Sequence, residues 1–298
     1  MLIDTHGHVS FNAFKEDGEA ALQRALENNT WVIMPGTQFS TSQKAVEMAG
    51  RYPEGVYAAI GLHPIHLAEK RRVDVLEVQS ENIKEKDWML FETKAEEFDY
   101  EKYKTLGQSK KVVAIGEFGL DYYYEPKNKA KREAQRMQQK TTLALQLKLA
   151  EELQLPVILH CRKAHEDLLE ILQARKQKMR GVVHCYTGDL KQAEQFYNLG
   201  LYFGFNGLIF KDVPALPNPE EIISSLPLER IVLETDSPYL AMPAEVLTKA
   251  GSEPVERNEP LYVKYVAEEI ARIKSMSFDE VASATTENAK NLFQLGRA

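Results

Sequence analysis

Short apolar runs rich in β-branched residues recur along the chain, and turn-forming or helical segments separate them. Most of these runs are continuously apolar and do not alternate with polar residues, which is typical of parallel strands covered on both faces. Eight runs predict strands: Leu2–Thr5, Trp31–Met34, Val56–Ile60, Val112–Gly116, Val157–His160, Gly181–His184, Leu201–Phe205 and Ile231–Thr235.

The segments between most of these runs carry apolar residues at helical spacing. Helices are predicted over Asp17–Asn28, Thr41–Tyr52, Arg132–Leu153, Ala164–Gln173 and Leu190–Leu199. An eightfold alternation of strand and helix favours a closed barrel over an open sheet. The predicted fold is therefore α/β, a (β/α)8 TIM barrel. No linker or internal repeat divides the sequence, so residues 1–298 are predicted to form a single domain.

Two stretches depart from the alternation. The charged segment His66–Lys111, between the third and fourth strands, is too long for a simple crossover and predicts an extra helix or a surface insertion. Ser237–Arg257, after the last strand, contains three prolines and predicts a long loop. A helical C-terminus is predicted over Pro260–Ile273 and Phe278–Phe293.

Composition narrows the class of protein. The chain has 298 residues, of which 44% are hydrophobic, and this is enough for one barrel. The only two cysteines, Cys161 and Cys185, exclude a disulfide scaffold. Because MLIDTHGH lacks the features of a signal peptide and no window is apolar enough to span a membrane, we expect a soluble, cytoplasmic protein. A net charge of −7 argues against a broad basic surface for nucleic acid, although bound metal ions could still attract an anionic substrate.

Residues that can bind metal ions lie at the carboxyl ends of the predicted strands, the face on which barrels of this kind carry their active sites. They are His6, His8, Glu117, His160, His184 and Asp236. Alternate residues of an extended chain face the same side, so both imidazoles of His6-Gly7-His8 can reach one ion. Asp4 lies on that side too and is a candidate acceptor for fixing a histidine tautomer.

A site with two ions needs a bridging ligand, and a carboxylate on a central strand has two oxygens to offer. Glu117 is the candidate bridge. One ion is assigned to His6, His8, Glu117 and Asp236, and the other to Glu117, His160 and His184. Nitrogen and oxygen ligands with open positions suit Zn²⁺, Mn²⁺ or Mg²⁺ in catalytic roles.

Each of these residues also has an ordinary structural explanation. Most isolated histidines bind nothing, Asp236 could cap a turn, and Glu117 could be a turn carboxylate. Their joint placement at five strand ends favours a metal site. His66 and His165 are interpreted as surface residues or as residues that only support the ligands.

Cys161 and Cys185 each follow a candidate ligand histidine. Strand alternation turns both thiols away from the barrel interior, so we interpret them as buried core residues and not as zinc ligands. The sequence contains no G-x-S-x-G elbow, Walker loop or G-x-G-x-x-G motif that would support another catalytic system.

Seven motifs resemble those of the TatD family of metal-dependent deoxyribonucleases. They are IDTHGH at 3–8, GLHP at 61–64, AIGEFGLDY at 114–122, PVILHCRKAHE at 156–166, VVHCYTG at 182–188, IVLETDSPYL at 231–240 and RNEP at 257–260. The motifs span nearly the whole chain. Their combination, and no single motif, is specific to the family. The resemblance implies a barrel with a dinuclear metal site that hydrolyses DNA, often from the 3′ end. It also implies that the six residues above are the metal ligands and that His63 and Arg162 face the substrate.

Several positions depart from the family pattern without removing a ligand. They are Gly7, Val9, Ser10, Ile65 and Lys163. The segment between His66 and Val112 is also longer than is usual in the family. These differences bear on substrate preference and leave the metal chemistry intact.

The predicted function is phosphodiester hydrolysis by a DNase with 3′–5′ exonuclease character, in which two divalent ions activate water and neutralise phosphate charge. Asp236 orients or deprotonates the water, and Glu117 holds the two ions together. His63 and Arg162 bind phosphate oxygens, although Arg162 could instead pair with Glu166. The expected partner is nucleic acid, in the form of single-stranded DNA or 3′ ends.

Other interpretations stay open at the level of sequence. Tyr122, Tyr123 and Tyr124 could stack on a terminal base or pack against the barrel rim, and packing is preferred for at least two of them. The strongest alternative function is dinuclear hydrolysis of another ester or an amide, including an aminoacyl-tRNA, because the same metal core serves all of these. The complete ligand set disfavours a non-enzymatic metal-binding scaffold. Oligomeric state is not predicted.

Overall fold

Eight parallel strands close into a barrel in the computed structural model of this protein. The structure describes residues 1–68, 72–74, 90–92, 95–175, 179–249, 251, 253, 255 and 257–296. Within them the strands are β1 (Leu2–Asp4), β2 (Thr30–Pro35), β3 (Val56–Ile60), β4 (Arg72–Asp74), β5 (Leu90–Glu92), β6 (Val112–Asp121), β7 (Val157–Arg162), β8 (Gly181–Val183), β9 (Tyr202–Phe205) and β10 (Ile231–Leu233). The barrel order is β1-β10-β9-β8-β7-β6-β3-β2, and β4 and β5 form a separate antiparallel pair. The predicted (β/α)8 barrel is confirmed.

The predicted and observed strands differ mainly at their ends. The largest difference is in β6, which continues to Asp121, whereas the prediction ended it at Gly116. Glu117 therefore lies inside this strand and not at its end. The continuation exists because the backbone goes on pairing with β7, where Leu120 lies opposite Cys161 and Asp121 opposite Arg162.

Helices connect most barrel strands and follow the last one. They are α1 (Gly18–Glu27), α2 (Phe39–Ala49), α3 (Tyr100–Gly107), α4 (Lys129–Leu153), α5 (His165–Gln173), α6 (Leu190–Asn198), α7 (Pro219–Ser225), α8 (Ala244–Lys249), α9 (Val263–Lys274) and α10 (Phe278–Phe293). None of these helices combines the length and the apolar character that crossing a membrane requires.

The two stretches that depart from the alternation of strands and helices each contain a helix. The stretch predicted to hold an extra helix or an insertion includes α3, and its residues 69–71, 75–89 and 93–94 lie outside the described residues. The stretch predicted as a long loop after the last strand includes the short helix α8. That helix is stabilised by tertiary packing, since Leu247 is fully buried in the main core cluster.

Capping side chains account for several helix starts. Asp189 and Gln192 form a reciprocal capping box at the start of α6, and Ser277 and Glu280 do the same at the start of α10. The side chain of Asn128 accepts a hydrogen bond from the backbone of the first turn of α4. These contacts satisfy backbone N–H groups that have no partner within the helix.

The barrel strands bury side chains on both faces. Ile158 belongs to the cluster that also contains Phe293 of α10, so the C-terminal helix closes the amino-terminal end of the barrel. Its neighbour Leu159 belongs instead to the larger cluster formed with the surrounding helices. Because side chains alternate along a strand, His160 projects on the same side as Ile158, at the opposite end of the barrel from α10.

Gly119 of β6 pairs with His160 of β7. A Cβ atom on Gly119 would lie 1.9 Å from the carbonyl oxygen of His160, and its φ of +157° is one that other residues rarely adopt. The register between these strands also shifts between Ile115 and Phe118. Irregularities of this kind re-aim side chains next to active sites, and this one lies at Glu117.

We expect Gly119→Ala to reduce the free energy of unfolding by about 3 kcal/mol, because the added methyl group must push β6 away from β7. Chemical denaturation would measure the loss. Gly50→Ala is the matched control, since Gly50 has a φ of −61° and a Cβ there would have no neighbour closer than 3.3 Å. Equal stabilities for the two variants would show that the strands can separate at Gly119 without cost.

Candidate metal centre

Four of the predicted ligands present their donor atoms to one point inside the barrel mouth. The Nε2 atoms of His6 and His8 lie 3.1 Å apart. Glu117 Oε2 lies 3.3 Å from His6 Nε2, and Asp236 Oδ1 lies 3.4 Å from His8 Nε2. The two remaining imidazole–carboxylate distances are both 3.8 Å.

These separations fit a single divalent ion. Nitrogen and oxygen ligands lie about 2.1 Å from zinc, so a tetrahedral arrangement separates the ligand atoms by about 3.4 Å. The observed spacings of 3.1–3.8 Å bracket that value. The four side chains are therefore spaced as a metal would require, although they come from three chain segments far apart in sequence.

The second oxygen of Glu117 faces a different set of histidines. Glu117 Oε1 lies 2.8 Å from His160 Nδ1, 3.5 Å from His63 Nε2 and 3.9 Å from His184 Nε2. The carboxylate thus lies between two groups of imidazoles, one at each oxygen. His184 is shared between the groups, because its ring stacks on His6 with centroids 3.5 Å apart.

In His8 and His63, the hydrogen bond at the far side of the ring determines which nitrogen is available to a metal. His8 Nδ1 donates to the carbonyl oxygen of Pro35 at 2.9 Å, which leaves the lone pair of Nε2 facing the centre. His63 behaves in the opposite way, because its Nδ1 accepts from the backbone N–H of Ile65 at 3.1 Å. In the neutral ring Nε2 then carries the proton, so His63 is a hydrogen-bond donor towards Glu117.

Glu234 orients His184 and was missed in the sequence analysis. Its Oε2 accepts from His184 Nδ1 at 2.8 Å and from the backbone N–H of Cys185 at 3.0 Å, and its side chain is fully buried. Val232 lies in the inner cluster, so strand alternation already indicated that Glu234 would face inward. A Cβ on Gly204 would lie 2.0 Å from Glu234 Oε1, so the missing side chain of Gly204 provides the space for this carboxylate.

Asp121 is the second residue that the sequence analysis missed. Its Oδ2 lies 3.3 Å from His160 Nε2, while Glu117 binds the other nitrogen of the same ring. Asp121 was overlooked because β6 was predicted to end before it. His160 therefore holds two carboxylates in this structure and must exchange one of these hydrogen bonds to bind a metal through that nitrogen.

Buried charges shift the titration of the centre. Burial and then the nearby His184 lower the pKa of His6 to about 4. Burial also favours neutral His160, but hydrogen bonds to Asp121 and Glu117 outweigh it and raise the pKa of His160 to about 9. Although burial opposes ionisation of Glu117, the surrounding histidines hold the pKa of its carboxyl well below its usual range. The centre is thus built around an ionised carboxylate, as a metal site needs.

Comparisons with known proteins agree with this geometry. The family model described as TatD-related DNase matches residues 3–294. The chain belongs to this family. It is 36% identical to the uncharacterized metal-dependent hydrolase YabD of Bacillus subtilis over 99% of this chain and all of that protein. It is 31% identical to the 3′-5′ ssDNA/RNA exonuclease TatD of Erwinia tasmaniensis, over 99% of this chain and all of that one.

A solved structure shares the fold of this TatD-family chain. The crystal structure of YjjV, a TatD homologue from Escherichia coli, superposes with a TM-score of 0.75 at 31% identity and covers 99% of this chain and 98% of that one. The TatD-family chain is accordingly a metal-dependent hydrolase, and its candidate ligand clusters lie where such a barrel carries its active site.

Hydrogen bonds to the backbone of His6 and from the side chain of Asn258 fix the loop that carries Asp236 in this TatD-family barrel. Asp236 has a φ of +58°, and its backbone N–H donates to the carbonyl oxygen of His6 at 2.8 Å. Asn258, from the RNEP motif, is fully buried and donates to three backbone carbonyls of this loop, those of Thr235, Tyr239 and Leu240. The loop conformation is therefore set by side chains distant in sequence.

Asp4 supports the site through the backbone and not through a histidine ring. It accepts hydrogen bonds from the backbone N–H groups of His6 and Thr235, at 3.1 and 2.9 Å, and from the hydroxyl of Thr235 at 2.6 Å. Burial, partly offset by these hydrogen bonds, raises the pKa of Asp4 to about 7. Asp4 thus ties β1 to the strand end that leads to Asp236.

Arg162 lies at the rim and stacks on a tyrosine. Its guanidinium carbon is 3.6 Å from the centroid of the Tyr123 ring. Arg162 and Glu166 are both within the described residues, and no ion pair joins them, so the alternative salt bridge is not formed. Tyr122 packs, as preferred: it is buried, its hydroxyl donates to Asp167 at 2.6 Å, and Arg136 covers its ring.

The remaining predictions have mixed outcomes. Cys161 is a buried core residue as predicted, but Cys185 is only half-buried, and its Sγ lies 3.7 Å from Asn206 Oδ1. His66 and His165 are both buried, so the surface interpretation of these two histidines is wrong. Packing of α5 and of the loop after β3 against the barrel covers them, and single-sequence patterns do not report that packing.

We expect Glu234→Gln to weaken divalent-metal binding by about 10–100-fold, because the amide is a poorer acceptor for the proton on His184 Nδ1. Gly204→Ala should have a comparable effect, since its methyl group would displace the same carboxylate. Isothermal titration with Zn²⁺ or Mn²⁺ would measure both.

Glu287→Gln is the matched control for this prediction, because Glu287 is exposed on α10 and distant from the barrel mouth. Metal affinities of Glu234→Gln and Gly204→Ala that equal that of Glu287→Gln would exclude an orienting role for Glu234.

Proposed function

We propose that this TatD-family hydrolase is a divalent-metal-dependent nuclease that removes nucleotides from the 3′ ends of single-stranded DNA with the aid of two metal ions. The observation that carries the proposal is the position of Glu117, whose two oxygens face two separate groups of histidines. A relative 31% identical over its full length is named a 3′-5′ ssDNA/RNA exonuclease, which supports nucleic acid as the substrate class.

The residues that would hold the ions follow from the donor atoms. His6, His8 and Asp236, together with Glu117 Oε2, would bind the first ion, and Glu117 Oε1, His160 and His184 the second. The donors are imidazole nitrogens and carboxylate oxygens, which suit Zn²⁺, Mn²⁺ or Mg²⁺. When bound, such ions would supply a water of lowered pKa and positive charge for the phosphate oxygens.

Asp236 is the residue we assign to proton transfer. Its side chain is 17% exposed, whereas that of Glu117 is 5% exposed, so Asp236 is the more accessible of the two central carboxylates. Asp236 Oδ1 faces His8 and His184, and the carboxylate can orient a water molecule and accept its proton. Glu117, enclosed by histidines, holds the centre together.

His63 and Arg162 are the residues we assign to the substrate. His63 Nε2 is a donor at the edge of the centre, next to Glu117 Oε1, and can donate instead to a phosphate oxygen. The Arg162 guanidinium makes no ion pair with Glu166 and lies over the Tyr123 ring, so its N–H groups can bind a phosphate in a forked arrangement. Both residues are near His160. Arg162 lies two residues after it in β7, and the centroids of the His63 and His160 rings are 4.2 Å apart.

We expect Asp236→Asn to reduce kcat on single-stranded DNA by at least about 100-fold, because an amide cannot accept the proton from water. Circular dichroism should show an unchanged fold. The control is Asp279→Asn, which changes an exposed carboxylate in the first turn of α10. Turnover by Asp236→Asn within twofold of Asp279→Asn, in saturating metal, would remove Asp236 from proton transfer.

We expect the metal-loaded protein to degrade linear single-stranded DNA with a free 3′ hydroxyl and to spare the same strand with a blocked 3′ end. The reason is the net charge of −7, which disfavours tight binding along a strand and favours capture of an end. Labelled linear, 3′-blocked and circular strands, and the RNA of the same sequence, would be compared with Mg²⁺, Mn²⁺ and Zn²⁺.

Two results of this comparison would contradict the proposal. Equal cleavage of linear and circular strands would identify an endonuclease and contradict the exonuclease proposal. The second result is that the protein cleaves no nucleic acid with any of the three metals and turns over a member of an ester or amide panel. That result would replace the nuclease proposal with dinuclear hydrolysis of another ester or an amide. His63 and Arg162 would then lose the role of phosphate ligands.

A further inference from the structure

A cleft lies between the segments that follow β8 and β9. Its volume is about 570 Å³, which is a size typical of small-molecule sites. Its lining begins at Cys185, the residue after the predicted ligand His184. Its outer end is formed by residues of α7 and α9, including Glu220 and Arg272.

Asn206 lines this cleft and carries a buried donor that has no partner among the residues that the structure describes. The residue is 1% exposed, and its Oδ1 accepts a hydrogen bond from the backbone N–H of Leu208 at 3.1 Å. That bond assigns the amide orientation and leaves Nδ2 as the second polar atom. Nδ2 is buried and makes no hydrogen bond within the described residues. A buried N–H group without an acceptor is costly, so this donor indicates a missing ligand atom.

Lys211 supplies a positive charge to the same cleft. Among the residues that the structure describes, no hydrogen bond or ion pair engages its ammonium group. Burial alone lowers the pKa of Lys211 to about 8. An uncompensated, partly buried ammonium group gains stability when an anion enters beside it.

The acidic residues of the cleft do not neutralise Lys211. Glu220 and Glu269 both accept hydrogen bonds from Arg272, at 2.9 and 2.7 Å, so their charges are paired at the outer end. Asp212 is exposed at the rim. The lining mixes polar and apolar residues, and Phe205 and Phe210 belong to its apolar wall.

We propose that this cleft binds one nucleotide of the substrate strand, with its phosphate accepting hydrogen bonds from Asn206 Nδ2 and Lys211 Nζ. The apolar wall would contact the sugar and base, and the phosphodiester next along the strand would reach the metal centre past Cys185. This inference rests on the proposed nuclease function. Barrels of this class often carry a phosphate site in the loops after their later strands, and β9 is the seventh strand of this barrel.

The first test is kinetic and uses the full-length, metal-loaded protein. Lys211→Met and Asn206→Asp should each raise KM for single-stranded DNA about tenfold or more and leave kcat within about twofold, because binding remote from the reacting bond is lost. Asn206→Asp keeps the acceptor for Leu208, so the local turn survives. Lys211→Arg should restore most of the affinity. Lys44→Met is the control, since Lys44 is exposed on α2.

The second test detects binding without catalysis. Acetic anhydride would modify lysines at pH 8, and mass spectrometry would compare Lys211 with Lys44 in the presence and absence of deoxyadenosine 5′-monophosphate. The nucleotide should protect Lys211 at least about fivefold and leave Lys44 unchanged, since a bound phosphate engages the ammonium group. Protection should disappear in Asn206→Asp.

The two tests separate this inference from the proposed function. Protection of Lys211 in a protein that cleaves no nucleic acid would retain the nucleotide cleft and reject the nuclease. Cleavage by the wild type, with unchanged KM in both variants and no protection, would overturn the cleft and retain the nuclease. Equal protection by inorganic phosphate would overturn the assignment of a nucleotide.

Discussion

The structure depends on the burial of one ionised carboxylate, that of Glu117, among histidine rings. A buried charge is tolerated only when opposite charges or hydrogen bonds compensate it. Here His160 Nδ1 lies 2.8 Å from one oxygen, and His6 Nε2 lies 3.3 Å from the other. The compensation requires residues from several strands to meet at one place, and the closed barrel provides that convergence. The candidate metal chemistry and the stability of the fold therefore both require histidine rings to surround the Glu117 carboxylate.

The residues that surround the centre have the task of holding the rings in one orientation. Glu234 holds His184, Pro35 holds His8 through its carbonyl, and Asp121 holds His160. Gly204 contributes by lacking a side chain, because any Cβ there would overlap the Glu234 carboxylate. These contacts orient the rings before a metal binds. Loss of one of them should lower the metal affinity more than it lowers the free energy of unfolding.

The rim of the barrel divides into two regions of different character. On the side of β7, the Arg162 guanidinium lies over the Tyr123 ring. On the side of β8 and β9, Asn206 and Lys211 line a cleft, and neither the Asn206 amide nitrogen nor the Lys211 ammonium group has a partner among the residues that the structure describes. Positive groups in both regions make the local field near the mouth differ from what the net charge of −7 for the whole chain would indicate.

The sequence by itself determined the strand and helix alternation, the closed barrel and the meeting of the six predicted ligands, because parallel strands bring their carboxyl ends to one face. Strand alternation also predicted the buried position of Cys161. Only the tertiary structure decided which groups hold the rings. Asp121 was missed because β6 is extended by its pairing with β7, and no local pattern reports a pairing partner. Glu234 lies two residues after Val232 and so faces the barrel interior by strand alternation. Its pairing with His184, however, depends on the space left by Gly204 in a neighbouring strand. The burial of His66 and His165, and the half-exposed thiol of Cys185, likewise depend on how loops pack over the barrel, which hydrophobic periodicity does not encode.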